Sequence, residues 1–308
     1  MAGFAPPFSA DGVRVGLLGW PRFLDGSAFQ VASMAELTRQ LVRRLRPTLL
    51  RSATELWYKR KSLDVLLSFE PGWSAPKISS AYGLPYAIRC SDPHNKVDWL
   101  ESYVARTQVS VILSPYPESM AHHFPRLAER VIDFPWSVPE NWIHSGDILV
   151  HGTGIAIQGA SGHPLYALRD WCRRFDFIRD HRVGGSFNLA HREHEYFRWM
   201  SRQDAFVVAT SEQHPWSLHA VAKFVEVPAA GCLLIAQDSP RVRALGFDES
   251  NAVLFRRDDF EAQCRRVLEA PSAYLEHRRR GRDLVRARFT TEHRVDQLKE
   301  LANALARA

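Results

Sequence analysis

Cysteine is scarce in this sequence, and the cysteines stand far apart. Only four occur among the 308 residues, at Cys90, Cys172, Cys232 and Cys264, and no two of them form a CxxC pair. This spacing excludes a disulfide framework and a zinc knuckle. A chain of this length buries a core large enough to fold without such cross-links. A reduced, cytoplasmic protein is expected.

Long apolar runs are absent as well. The longest, residues 229–236, is interrupted by Gly231 and is far too short to cross a bilayer. The first residues lack the basic and apolar segments of a signal peptide. The sequence therefore argues against a membrane-spanning protein, and leaves peripheral contact with a membrane as a further expectation.

A strong charge of one sign is also missing. Lysine and arginine total 40 and aspartate and glutamate 34, a net charge of +6. The excess is spread over both halves of the chain, whereas a nucleic-acid-binding arm would concentrate it. No specific nucleic-acid partner is expected, and anionic small ligands fit the charge better. The densest basic run, residues 277–282, is typical of a solvated helix face that could contact anionic lipid or nucleic acid.

Short apolar runs alternate with longer amphipathic stretches, a pattern typical of βα units around a parallel sheet. The first series of predicted strands comprises residues 13–19, 63–69, 85–90, 109–114 and 130–136. A second series starts afresh with residues 147–150 and continues at 175–178, 205–209 and 232–236. The sequence therefore predicts an α/β protein with two Rossmann-like, doubly wound parallel sheets.

The break between the two series predicts the domain boundaries. We expect an N-terminal domain of residues 1–142, a second domain of residues 143–290, and a final helical segment, residues 291–308, that braces both. Ligands of open parallel sheets bind at the carboxyl ends of the strands. Two such sheets facing each other would hold a substrate in the cleft between them.

The segment 222–236 carries the most specific chemistry. A predicted helix containing Lys223 and Glu226 ends at small residues and Gly231, and leads directly into an apolar strand. A carboxylate at Glu226 can accept hydrogen bonds from a ribose diol. Lys223, one turn earlier on the same face, can reach a phosphate. Gly231 permits a tight turn.

This segment resembles the donor-binding motif of the GT-B glycosyltransferases, most closely the CgeB-like and family-1-like group. The shared pattern is a basic residue, an aromatic or Leu residue, a glutamate, a Pro-Ala-x-Gly turn and an apolar strand, and the likeness is good over residues 195–300 and looser over 60–140. The resemblance implies transfer of a sugar from a nucleotide-diphosphate-sugar donor to an acceptor hydroxyl. Retaining relatives carry a second glutamate eight residues earlier, where this sequence has Leu218, so retention and inversion stay open.

No Asp-x-Asp occurs in the chain, whereas metal-dependent sugar transferases of the other major fold typically bind their metal through such a pair. A diphosphate site without a metal or other cofactor is therefore expected, neutralised by basic side chains. Lys223 and Arg169 are the candidates, with Arg256 as a further one. The loop containing Gly152 and Thr153, after the predicted strand 147–150, offers backbone N–H groups to the donor, although a plain turn explains it equally well.

In the N-terminal domain, polar residues follow two predicted strands. Asp92 and His94 flank Pro93, and Glu70 follows residues 63–69. Each side chain is able to take the proton of an acceptor hydroxyl, so each is a candidate base. An Asx turn with Pro93 is the alternative explanation for Asp92. The acceptor itself is expected to be a carbohydrate or a glycolipid, as in polysaccharide biosynthesis.

Two alternatives remain open at this stage. A nucleotide-sugar epimerase or hydrolase on the same two domains would turn over the donor without an acceptor. A non-catalytic protein that binds sugars or nucleic acid would use the basic run at residues 277–282, and its nucleic-acid affinity would fall steeply with salt.

Overall fold

The computed structural model describes residues 12–19, 32–72, 75–180 and 193–308. These form two compact units, one comprising Met1–Pro135 with Thr291–Ala308 and the other Trp136–Thr290. The division falls before Trp136 rather than after residue 142 as predicted from the sequence. The reason is that the segment after the division pairs within the second unit, where the Val138 N–H donates to the Phe289 carbonyl at 2.9 Å.

The first unit is built on a six-stranded parallel sheet of order β2-β1-β3-β4-β5-β6. The strands are β1 (Val15–Leu18), β2 (Thr48–Leu50), β3 (Val65–Phe69), β4 (Tyr86–Arg89), β5 (Val109–Ser114) and β6 (Val131–Asp133). The helices among them are α1 (Ala32–Leu45), α2 (Ala53–Lys59), α3 (Leu100–Thr107) and α4 (Pro117–His123). The central strands β3 and β4 are buried along their whole length, as expected for parallel strands covered on both faces.

The second unit holds a five-stranded parallel sheet of order β11-β10-β9-β7-β8. Its strands are β7 (Ile155–Ile157), β8 (Ile178–Asp180), β9 (Ala205–Val208), β10 (Leu233–Gln237) and β11 (Val253–Phe255). Its helices are α5 (Ala167–Cys172), α6 (Glu193–Ser201), α7 (Lys223–Ala229), α8 (Pro240–Ala244), α9 (Phe260–Glu269) and α10 (Leu275–Arg288). The two parallel sheets confirm the predicted fold class. That they face a common cleft stays a prediction.

The last helix, α11 (Thr291–Arg307), belongs to the first unit. Its buried residues Val295, Leu298 and Ala302 recur at the spacing of one helical face, and α11 packs against α1. At the rim of this contact Arg44 forms an ion pair with Asp296 at 2.6 Å. The predicted helix is therefore present, and its packing partner is the first sheet's own α1.

The first strand of the second unit begins later than predicted. Residues 147–150 form no strand, and the side chains of Leu149 and Val150 are 58% and 36% exposed. The buried run is β7 instead. Gly152 and Thr153 therefore precede the strand, at the amino edge of the sheet, and the loop that follows the strand starts at Gln158.

Two further structural findings bear on function. Within the described ranges, no helix combines the length and the apolar character that crossing a bilayer requires. In the same residues, no group of three or more His, Cys, Asp and Glu side chains is arranged to hold a metal ion.

Candidate functional site

The strand order of the second sheet reverses between β7 and β9. The chain runs from β7 outward to β8, then crosses to β9 on the other side of β7 and continues to β10 and β11. At such a switch point the loops leaving the two central strands diverge, and a crevice opens at their carboxyl ends. The candidate site of this unit is built around that crevice.

Arg169 of α5 spans the switch point. Its Nε donates to the Ala209 carbonyl after β9 at 3.1 Å, and its Nη1 donates to the Ala160 carbonyl after β7 at 3.4 Å. The residue is only 3% exposed, and burial lowers the pKa of its guanidinium to about 10. No carboxylate of the described chain lies within ion-pair distance of it. A buried cation without a counter-ion suits an anionic ligand.

The loop after β7 makes room for this guanidinium. Gly159 has a φ of +130°, and a Cβ on it would lie 2.6 Å from Nη1 of Arg169. A side chain at this position would therefore displace Arg169. The neighbouring Gln158 is buried, and its amide oxygen Oε1 accepts no hydrogen bond within the described residues. Both residues were missed by the sequence analysis because the strand before them had been placed too early.

Helix α7 brings Lys223 and Glu226 to the same region. Glu226 is 8% exposed, and its Oε2 accepts a hydrogen bond from the Tyr196 hydroxyl of α6 at 3.3 Å. The Lys223 ammonium lies 5.9 Å from the centre of the Tyr196 ring. Lys223 interacts electrostatically with both Glu226 and Arg169, so the three predicted donor-site charges form one cluster. Tyr196 is an additional member that no local sequence pattern indicated.

Burial is the dominant influence on the charges of this cluster. It raises the pKa of the Glu226 carboxyl, although Lys223 and the Tyr196 hydroxyl act in the opposite direction. It lowers the pKa of the Lys223 ammonium, an effect that Glu226 counteracts and Arg169 reinforces. The cluster therefore holds two crowded cations beside one carboxylate, an arrangement that a bound polyanion would stabilise.

Gly231 lies at the opposite end of α7, at the amino edge of the sheet. It has a φ of +75°, and its carbonyl accepts a hydrogen bond from Arg278 Nε at 2.7 Å. Gly231 thus serves the turn into β10, and the structure places it away from the carboxyl edge that its predicted donor-binding role requires.

Gly152 and Thr153 lie at this amino edge too. The Thr153 N–H and the His151 N–H each donate to the Asp204 carboxylate at 2.7 Å. Their backbone groups are therefore oriented towards the start of β9 rather than towards a ligand at the carboxyl edge. Their predicted contact with the donor stays a prediction. The sequence explained this loop equally well as a plain turn, and the structure favours the turn.

A cavity of about 590 Å³ also opens at the carboxyl edge of the second sheet, with Leu168 and Phe255 among its lining residues. The charges at its mouth are paired with one another. Arg257 forms an ion pair with Glu212 at 2.7 Å, and Arg256, which is highly exposed, lies 3.6 Å from Asp238. Unlike Arg169, Arg256 is therefore exposed and close to a carboxylate.

In the first unit, Glu70 is a buried partner of two cations. Its Oε1 lies 2.8 Å from Arg89 Nη1, and its Oε2 lies 3.2 Å from Lys96 Nζ. Oε1 also accepts the Ser91 N–H at 2.7 Å. Glu70 is only 4% exposed. With its oxygens engaged in this way, Glu70 stabilises the turn after β4, and the network argues against its predicted role as a base.

Asp92 lies beside this network and lines a cavity of about 310 Å³. Its side chain accepts a hydrogen bond from the Ser91 hydroxyl at 3.3 Å, and its φ of 49° orients the turn. Across the cavity the Lys77 ammonium lies 3.8 Å from the centre of the Trp99 ring. His94 is half-buried in the following turn and is not among the described residues that line the cavity.

Comparison with known proteins supplies the family. A sequence profile described as glycosyl transferase-like matches residues 145–300, half of the chain. The chain belongs to this family. A search of curated proteins finds no match.

The fold of this glycosyltransferase is shared with solved structures. Anabaena HepE, solved in complex with UDP-glucose, gives a TM-score of 0.62 at 9% identity over 94% of this chain and 99% of HepE. The sucrose-phosphate synthase of Thermosynechococcus elongatus gives 0.61 at 12% identity over 95% and 99%. A glycosyltransferase from Rickettsia africae gives 0.55 at 8% identity over 95% and 98%. These matches confirm the predicted GT-B fold.

Proposed function

We propose that this glycosyltransferase moves a sugar from a nucleotide-diphosphate-sugar donor to an acceptor hydroxyl, and that side-chain cations rather than a metal ion neutralise the leaving diphosphate. The observation that carries the proposal is Arg169, a buried guanidinium without a carboxylate partner in the described chain, held across the switch point of the second sheet. It provides a positive charge at the place where open parallel sheets bind ligands.

The donor would bind through the cluster around this arginine. Arg169 and Lys223 would contact the two phosphates, and Glu226, oriented by the Tyr196 hydroxyl at 3.3 Å, would accept hydrogen bonds from the ribose diol. HepE has been solved with UDP-glucose and with UDP, which makes uridine diphosphate the first nucleotide to test. A donor of this class also fits the excess of positive charge in the sequence.

The acceptor would bind in the cavity of the first unit. Trp99 would offer its ring to the apolar face of a sugar, and Asp92 would accept the proton of the attacking hydroxyl. We prefer Asp92 over Glu70 because Glu70 is occupied by Arg89 and Lys96. A carbohydrate or a glycolipid headgroup is the acceptor class that this combination of an aromatic ring and a carboxylate fits.

The proposed transfer reaction accounts for every bond, proton and electron pair without a cofactor. The acceptor oxygen forms a bond to the anomeric carbon, the bond from that carbon to the diphosphate breaks, and the hydroxyl proton passes to Asp92. The diphosphate leaves with the bonding electron pair, and the growing negative charge is stabilised by cations that are already in place.

Calorimetry with a panel of UDP, GDP, ADP and dTDP tests the donor site. We expect one nucleotide to bind wild-type protein in the presence of EDTA, and Arg169→Met and Lys223→Met to weaken it roughly tenfold or more, as loss of a charge-assisted contact predicts. Arg265→Met is the matched control, because Arg265 is an exposed arginine of α9 that pairs with Glu261, and it should bind as wild type does. Absence of binding by every nucleotide, or binding that requires a divalent cation, would refute the proposal as stated.

A product assay then separates transfer from the alternatives. Transfer requires release of nucleoside diphosphate that depends on an added acceptor. Equal release without any acceptor would instead identify a hydrolase, and an isomerised donor without release would identify an epimerase.

A further inference from the structure

Three large aromatic side chains are exposed on the first unit, away from its cavity. Trp57, Tyr58 and Tyr82 are 45%, 73% and 38% exposed. Trp57 and Tyr58 are at the end of α2, shortly before β3 begins, and Tyr82 lies in the turn before β4. All three therefore lie near the amino edge of the sheet, whereas the cavity with Asp92 lies at the carboxyl edge. Exposed aromatic side chains clustered in this way indicate an interaction surface.

Arg60 joins these rings into one surface. Its guanidinium carbon lies 4.5 Å from the centre of the Trp57 ring and 5.8 Å from that of Tyr82. Trp57 and Tyr58 meet edge to face with centres 4.9 Å apart. We call this surface the aromatic–basic patch. It consists of Trp57, Tyr58, Lys59, Arg60, Lys61 and Tyr82.

The patch carries positive charge that is not neutralised internally. Lys59 and Lys61 are exposed, and neither they nor Arg60 has a carboxylate of the described chain within ion-pair distance. The nearest carboxylates in sequence are used elsewhere. Glu55 accepts the Arg51 N–H at 2.7 Å, and Asp64 forms an ion pair with Arg14 at 2.6 Å.

We propose that the aromatic–basic patch docks this protein on an anionic lipid bilayer. Tryptophan and tyrosine favour the headgroup region of a membrane, where one part of the ring is wet and the other is not. Basic residues beside them are attracted to anionic headgroups by about 1 kcal/mol each. The three consecutive cations complement such a surface, and the cavity at the opposite edge of the sheet stays accessible.

Nucleic acid fits the same patch less well. Bases stack on open ring faces, but one face of Trp57 is covered by Arg60, and its ring also meets Tyr58. Insertion into a headgroup layer needs no open face. The patch is also short, whereas a strand of nucleic acid requires cations along its backbone.

Sedimentation of the full-length protein with vesicles tests the proposal. We expect binding to vesicles of mixed phosphatidylcholine and phosphatidylglycerol, little binding to phosphatidylcholine alone, and release by added salt. Lys59→Ala with Lys61→Ala should weaken partitioning roughly 25-fold, since about 1 kcal/mol per charge corresponds to about fivefold. Trp57→Ala with Tyr58→Ala should weaken it in every salt concentration, because the aromatic contribution is not screened.

The matched control removes two charges from a different surface. Arg279 and Arg280 are exposed on α10, in the basic run that the sequence analysis singled out, and both pair with Glu276. Arg279→Ala with Arg280→Ala should leave vesicle binding unchanged. Equal losses in both charge variants, or no binding of wild type to anionic vesicles, would overturn the proposal. So would preferential binding of a single-stranded oligonucleotide that the vesicles do not displace. Unaltered circular dichroism and nucleotide affinity would show that each variant is folded.

Discussion

Two buried charged residues, Glu70 and Arg169, differ in how their charges are compensated. Glu70 is surrounded by Arg89, Lys96 and the Ser91 N–H. The hydrogen-bond partners of Arg169 within the described residues are carbonyl oxygens. A buried charge with full internal compensation belongs to the fold, whereas a buried cation held by neutral dipoles can gain from an incoming anion. This contrast separates a structural carboxylate from a candidate binding residue.

In the first unit, Glu70 and Asp92 should respond in opposite ways to loss of their charge. Glu70→Gln leaves Arg89 and Lys96 buried without their carboxylate, so we expect the free energy of unfolding to fall by about 3–5 kcal/mol. Asp92→Asn keeps a residue type that tolerates positive φ, so stability should change by less than about 1 kcal/mol while kcat falls roughly 10²–10⁴-fold. Urea unfolding measures the change in stability of each variant, and steady-state kinetics measures the change in kcat. A stable Glu70→Gln variant with kcat abolished would instead make Glu70 the base.

The donor cluster predicts a pH dependence of nucleotide affinity. Burial and Arg169 lower the pKa of Lys223, so on raising the pH the lysine loses its charge at a lower pH than an ordinary lysine does. Affinity for the diphosphate should therefore fall as the pH rises through that lowered pKa. Calorimetry over an alkaline pH series measures this decline.

Lys223→Arg provides the control for this titration. In the same surroundings a guanidinium keeps its proton to higher pH than an ammonium does, so the alkaline decline should move to higher pH even if the affinity itself changes. If the nucleotide affinity of wild type and of Lys223→Arg declined with the same midpoint pH, the titrating group would not be Lys223.

At the scale of elements, the alternation of apolar runs predicted most of the strands because parallel strands buried on both faces consist mainly of apolar residues. The prediction was wrong at residues 147–150, where Leu149 and Val150 are exposed. It also missed β2 and β11, strands of three residues at the edges of their sheets. The error at 147–150 displaced the site as well. The loop taken to follow the strand was the one containing Gly152, which precedes β7, whereas the loop that follows β7 contains Gly159.

The predicted proximity of Lys223 and Glu226 depended only on their spacing within one helix, and the structure brings Arg169 to them. Tyr196 was beyond prediction, because its contact with Glu226 joins residues 30 positions apart and no local pattern encodes it. The roles of these residues stay predictions until nucleotide binding is measured.

The packing of α10 on α7 predicts an unusual outcome for a glycine in a helix. Replacing a helical glycine by alanine normally stabilises a protein. At Gly281, however, a Cβ would lie 2.9 Å from the Asn251 carbonyl oxygen and 3.3 Å from Pro228 Cβ. We therefore expect Gly281→Ala to lower the free energy of unfolding by about 1–3 kcal/mol. Thermal unfolding should show a lower Tm. Gly19→Ala is the control, because its added Cβ meets no atom of the described residues within 4 Å. An unchanged or raised Tm would contradict the close packing.

At the scale of the whole molecule, the chain leaves the first unit at Pro135, builds the second unit, and returns with α11. The first unit is therefore completed by residues at the far end of the sequence. Leu298 is fully buried there, and Gln297 Nε2 donates to the Asp133 carbonyl at 3.2 Å. The sequence predicted the helix itself from its apolar spacing, but the partner of that helix depends on a contact across more than half of the chain.

Because α11 completes the first unit, we expect a disruptive substitution in α11 to destabilise that unit. Leu298→Asp places a charge in the contact between α11 and α1, which we expect to destabilise the first unit by about 3 kcal/mol or more. Hydrogen exchange should accelerate in α1 and in β1 to β3. Because each unit has its own core, exchange in β9 and β10 and the affinity for nucleotide should stay close to wild type. The exposed neighbour substitution Glu300→Gln is the control. Equal acceleration in both sheets would show that the chain unfolds as a single cooperative body, and would contradict the assignment of α11 to the first unit alone.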